Sequence, residues 1–189
     1  MVTDIVRELS TREGIEVRLV LFREEIAYDI DDIQHLIHII PSSVQLSLWR
    51  KNKYHIAELQ QFLEDFQPDI IHSHLFEAEI VSRSCCYPSA KWFSHGHDNM
   101  RQFSAKNKRL KERITQQFEK HYLTKRYEIN HGNQFIVISK HSEAYFKKNI
   151  QKSPIYLLPN AINFNKFVNS KIKREESQRI QLISVGSLT

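Results

Sequence analysis

Apolar positions along the chain fall into short runs whose period changes from helical to alternating and back. Val2 to Arg12 places Ile5, Val6 and Leu9 on one helical face, with Thr3 as a candidate cap and Gly14 as the stop. From Ile15 to Phe22, Ile, Val and Leu alternate with Glu16, Arg18 and Val20, which predicts a strand. Ile33 to Ile40 is a second β-rich run, closed by Pro41. Over Leu46 to Phe66 the residues Ile56, Leu59, Phe62, Leu63 and Phe66 recur at helical spacing, and Pro68 ends that helix. Asp69 to His72 then reads as a short buried strand.

The alternation continues downstream. Phe76 to Ser84 predicts a helix, and Lys91 to Ser94 a strand that delivers His95-Gly96-His97-Asp98. Leu110, Ile114, Phe118 and Tyr122 form a stripe on a long basic helix. Phe135 to Ile138 predicts a strand, Lys140 to Asn149 a helix, and Ile155 to Leu158 a strand ending at Pro159. Strands separated by helices of this length make parallel βαβ units, so the expected fold is α/β with a doubly wound, Rossmann-like parallel sheet. The expected division is a domain over residues 1–168, a charged linker over 169–179 and a strand-like remnant of a further domain over 180–189. Trp92 and Trp49 are both expected in the core.

Composition narrows the function classes. At 189 residues the chain suits one domain with an appended fragment. Its apolar runs are short, such as Leu19 to Phe22, and the mean hydropathy is −0.48, which predicts no membrane-spanning helix. No charged-then-apolar leader is expected at the start. The two cysteines, Cys85 and Cys86, are neighbours and ill placed for a disulfide, which suits a reducing, cytoplasmic compartment. Only four glycines occur, Gly14, Gly96, Gly132 and Gly186, so neither a GxGxxG fingerprint nor a Walker A loop can form. Between Arg101 and Arg126 nine Lys or Arg face only Glu112 and Glu119. Such a run is either a solvated helix face or a contact for a polyanion or anionic membrane.

Five segments in order resemble glycosyltransferase family 4, the retaining enzymes with a two-domain GT-B fold. They are Pro-Asp-Ile-Ile-His-Ser-His-Leu at 68–75, Trp-Phe-Ser-His-Gly-His-Asp at 92–98, and Phe-Ile-Val-Ile-Ser-Lys at 135–140. Leu-Leu-Pro-Asn-Ala-Ile-Asn at 157–163 and Leu-Ile-Ser-Val-Gly-Ser-Leu at 182–188 complete the set. Ala161 and Asn163 depart from the Gly and Asp usual in the fourth segment. The family's opening strand and Gly-rich loop have no counterpart in this chain. The resemblance implies the acceptor-side half of such an enzyme, its first strand missing, with residues 180–189 starting the donor domain.

The resemblance also implies a chemistry: sugar transfer from a nucleotide diphosphate donor with retention of configuration, to a polysaccharide or lipid-linked acceptor. His95 matches the strand-end histidine close to the donor sugar and is the expected catalytic residue. Gly96 would let the main chain approach the sugar ring. His97, Asp98, His72, His74, Ser139 and Asn160 are the expected substrate-binding residues. His72 and His74 bracket a strand end, one expected to face the cleft and the other to cap the sheet. Ser139 reads first as a helix N-cap and second as an anion site, and Asn160 as the holder of a turn. No cofactor, metal or nucleic acid is expected, the nucleotide sugar being substrate, and the donor would bind through the missing domain. The 189-residue chain alone is expected to transfer no sugar. Residues 101–126 are the expected contact with an anionic surface at the inner face of the membrane. Two readings of other classes stand beside this one. The paired His-x-His motifs (His72 with His74, His95 with His97) could serve a metal-dependent hydrolase, and the basic balance could serve a non-catalytic binding module.

Overall fold

The computed structural model describes residues 2–25, 29–97, 110–129, 133–150 and 153–161. Helix α1 (Val2–Ser10) leads to strand β1 (Leu19–Leu21), a 3-10 helix (Asp31–Leu36) and β2 (Ile37–Ile39), which pairs in parallel with β1. A hairpin follows, β3 (Ser43–Gln45) against β4 (Lys53–His55), and then α2 (Ala57–Phe66). The main sheet takes β5 (Ile70–His74), β6 (Lys91–Gly96), β7 (Asn133–Val137) and β8 (Ile155–Leu157), all parallel and adjacent in chain order. The connections between them carry α3 (Phe76–Ser84), α4 (Leu110–Ile129) and α5 (Lys140–Asn149). This is an α/β, Rossmann-like architecture of strands linked through helices.

Period-two alternation sorts the sheet into two faces. On β7, Asn133, Phe135 and Val137 are buried while Gln134 and Ile136 between them are half-buried. Phe135 and Val137 pack against Ile80 of α3, Leu123 and Tyr127 of α4, and Phe146 of α5. A second cluster joins Leu59 and Leu63 of α2 to Val81 of α3 and to Cys85, with Val20, Phe22 and Ile71 beside them. A third holds α1 through Val6 against Ile33 and Leu36.

Several elements differ from the sequence expectation. Leu46 to Phe66 is not one helix: the helix starts at Ala57, and the residues before it turn back as the β3–β4 hairpin. Side chains close that turn, with Ser47 N donating to Asn52 Oδ1 at 2.9 Å and Arg50 N to Ser47 Oγ at 3.0 Å. Trp49 lies in the turn and is 90% exposed, whereas Trp92 is fully buried. Helical spacing of Ile56, Leu59 and Leu63 extends only through residues that reach the core. The strand expected over Ile33 to Ile40 opens as the 3-10 helix, which brings Ile33 and Leu36 onto one side, both buried. A bidentate pair from Arg7 to Asp32, at 2.6 and 2.8 Å, holds that turn to α1. β1 is shorter than Ile15 to Phe22. On α4 the expected stripe packs only in part: Leu110 and Ile114 are exposed, Phe118 is half-buried and Tyr122 packs against the core, where Leu123 and Tyr127, one position around the helix, are the buried residues. The reason is local to the last two turns, where α3 and β7 lie. The linker over 169–179 and the strand over 180–189 lie outside the described residues.

Candidate functional site

The parallel register of β5 and β6 sets His74 opposite His95, Ser73 opposite Ser94 and His72 opposite Phe93. Neighbours in register share a face, so His72, His74 and His95 stand together at the carboxyl ends of the two strands. His97 continues the same row. The His95 and His97 rings stack with centroids 4.6 Å apart and planes 5° apart, and His72 and His95 stack at 5.3 Å and 7°. Two imidazole pairs reach hydrogen-bond distance: His95 Nδ1 to His72 Nε2 at 3.3 Å and His74 Nδ1 to His97 Nε2 at 3.1 Å. The expectation that His72 and His74 point apart is corrected by this geometry. Their centroids are 4.2 Å apart, because residues two apart on a strand lie on one face.

Burial and mutual repulsion make these rings neutral. Removal from water, reinforced by the nearby imidazoles, lowers His72 from 6.5 to about 4, His74 to about 3 and His95 to about 4. Each neutral ring carries one N–H donor and one lone pair. His95 Nε2 is buried with no hydrogen-bond partner. The row can therefore donate to and accept from a polyhydroxylated ligand, or ligate a soft or borderline metal ion.

Behind the histidines, on the helical face of the same strands, lies a buried charged network that sequence reading missed. Glu79 and Arg83, one turn apart on α3, are 3% and 0% exposed and pair at 3.0 Å. Ser73, which sits between His72 and His74, donates to Glu79, and Ser94, next to His95, donates to the same carboxylate at 2.5 Å. Arg83 donates to Ser94 Oγ at 2.7 Å and to Asn133 Oδ1 of β7. Its guanidinium lies over the rings of Trp92 at 4.7 Å and Tyr127 at 5.1 Å. One ion pair thus ties α3 to three strands and fixes the two that carry the histidines. The sequence signal was a Glu and an Arg four apart in a helix flanked by small polar strand residues, a pattern that by itself also describes a solvated helix face.

The remaining expected residues are placed as follows. Gly96 ends β6 on the helical face, where an added Cβ would come within 2.8 Å of the buried Phe146 ring. Close packing against α5 thus requires a glycine there, a reason distinct from approach to a sugar. Ser139 caps α5, its Oγ accepting from Ser142 N at 3.1 Å. Asn160 is exposed, beyond the carboxyl end of β8. Ser139 and Asn160 follow the strands one and two places from β6, on the order of 5 and 10 Å along the sheet. Asp98 lies outside the described residues. Leu75, directly after His74, adopts φ 70° and ψ 158°, a region L side chains rarely enter, and is 68% exposed. Strain of this kind is characteristic of functional rims. Cys85 and Cys86 are both free thiols, the first buried.

The described residues include no helix long and apolar enough to cross a membrane. The family model for Glycosyltransferase Family 4 matches residues 1–166. No curated protein and no solved structure matches the chain.

Proposed function

The chain belongs to glycosyltransferase family 4, and from that premise we propose that it is the acceptor-side domain of a retaining transferase. The enzyme would move a sugar from a nucleotide-sugar donor to a polysaccharide or lipid-linked acceptor of the cell envelope. The observation that carries this reading is His95, at the carboxyl end of a central parallel strand, neutral, and with a buried Nε2 that nothing partners. Ligands of open α/β sheets bind at that end of the strands. A neutral imidazole can hold a sugar hydroxyl there without placing positive charge beside an oxocarbenium-like centre. His72 and His74 supply further donors and acceptors on the same face. The protein's part is positioning and charge complementarity, with the nucleotide diphosphate as leaving group.

The test is turnover of nucleotide sugars by the native protein in which this domain works together with a donor-binding domain. His95→Asn is expected to lower kcat/KM by roughly 100- to 1000-fold, the scale of losing one preorganised polar contact to a transition state. His121→Asn, exposed on α4, should leave it unchanged. Undiminished transfer in the His95 variant, or no turnover of any nucleotide sugar by the native protein, overturns the reading.

We also propose peripheral contact with anionic lipid at the cytoplasmic face through α4. Its described surface presents Arg113 and Lys125 beside exposed Leu110 and Ile114, an apolar and basic mixture suited to headgroups. Lys120 is instead held by Asn149 at 3.0 Å, and Arg126 lies over Tyr122. Residues 101–109 of the basic run lie outside the described residues. Co-sedimentation is expected with anionic vesicles and not with neutral ones, and to weaken as salt is raised. Equal recovery on both removes the proposal.

A further inference from the structure

The geometry points to a binding site for one divalent late first-row transition ion, zinc above all, with His72, His74 and His95 as ligands and His97 completing the set. Ligand nitrogens of His72, His74 and His95 all lie within 4.8 Å of one another. A tetrahedral zinc with bonds of about 2.0–2.1 Å needs ligand nitrogens roughly 3.4 Å apart. Two pairs already stand near that separation, at 3.3 Å for His72 with His95 and 3.1 Å for His74 with His97.

Donor chemistry narrows the ion. The row offers imidazole nitrogens and no carboxylate among its four members, which suits zinc, cobalt, nickel or copper and disfavours magnesium and calcium, both of which take oxygen ligands. Without a metal, each ring-to-ring contact is satisfied by one N–H and one lone pair, and His95 Nε2 is left buried and unpartnered. Support also comes from behind. Ser73 and Ser94 anchor the intervening positions of both strands to the Glu79–Arg83 pair, so the ligands project from a fixed frame. Preorganisation of that kind lowers the ordering cost of coordination.

An ion here would engage the His95 imidazole that the transferase reading assigns to a sugar hydroxyl, but binding of the metal is independent of that reading. The test is titration of the chelator-treated protein with cobalt(II), followed by its ligand-field absorption. One equivalent per chain is expected, with the intense visible bands of tetrahedral nitrogen coordination, bleached by zinc(II) and unaffected by magnesium(II). His72→Asn combined with His95→Asn should weaken binding at least tenfold. His97→Asn, at the strand end, should retain the stoichiometry and shift the bands as a solvent oxygen replaces one nitrogen. A protein with exposed His121 and His141 both changed to Asn should titrate as the wild type does. Circular dichroism of each variant separates lost ligands from lost fold, and the His97 variant carries the test if the double variant unfolds. Absence of a saturable spectrum in the wild type, or an unaltered spectrum and affinity in the folded ligand variants, overturns the site. Neither result bears on sugar transfer, which is assayed separately.

Discussion

Arg83→Ala is expected to cost the domain about 3–5 kcal/mol of folding stability, the scale of leaving one member of a buried ion pair uncompensated. The substitution strands Glu79, itself 3% exposed, with neutral hydroxyls such as those of Ser73 and Ser94 for partners. It also removes the donor to Asn133 Oδ1 and empties the space between the Trp92 and Tyr127 rings. Arg83→Lys should recover only part of the loss, because an ammonium cannot span Glu79, Ser94 and Asn133 with one planar fork. Replacing both charges, as Glu79→Leu with Arg83→Met, should be milder than Arg83→Ala alone, since no buried charge is then left unpaired. Urea denaturation of the four proteins reads this directly. A cost below about 1 kcal/mol for Arg83→Ala would show that the network contributes little and that water reaches Glu79 readily.

The second large effect is acid sensitivity. In the unfolded chain the three histidines titrate near 6.5, and in the folded domain near 4, 3 and 4. Well above 6.5 both states are neutral and the groups contribute no pH dependence. As pH falls through 6.5 the unfolded chain takes up protons first, so stability declines down to about pH 4 for His72 and His95 and about pH 3 for His74. Three full proton differences would remove about 6 kcal/mol between pH 6.5 and 5; with solvent screening of the half-buried His72 and His74, about half of that is expected. Urea midpoints of chelator-treated protein should therefore fall steeply between pH 6.5 and 5 and only gently between 7.5 and 6.5. His72→Asn with His74→Asn should flatten the profile. Equal stability at pH 7.5 and 5 would mean that the rings are hydrated in solution and titrate near their ordinary value.

How much of this was legible in the residues varies with the range over which each feature is decided. The cap at Ser139 and the helix that follows were readable because both depend on a hydroxyl and an amide three residues apart. The core place of Trp92 follows from its strand, and the exposure of Trp49 does not follow from its type: a hairpin carries it outward. Leu46 to Phe66 misled because Leu59, Phe62 and Leu63 have a helical period while the preceding residues pair with a strand. Glu79 and Arg83 resemble any exposed helix pair until three strands close over them.

The sequence by itself determined the family and the alternation of strands and helices from Ile70 to Leu157. These are local properties, written in spacings of two to four residues. Tertiary structure alone decided that β5 and β6 lie side by side with His74 opposite His95, which merges two separate pairs into one row. It also decided that the row is buried enough to hold its rings neutral, and that one ion pair behind it is sealed from water. Adjacency of segments some twenty residues apart is set by interstrand hydrogen bonds and by packing of helices across the sheet. No spacing within either segment encodes those long-range terms.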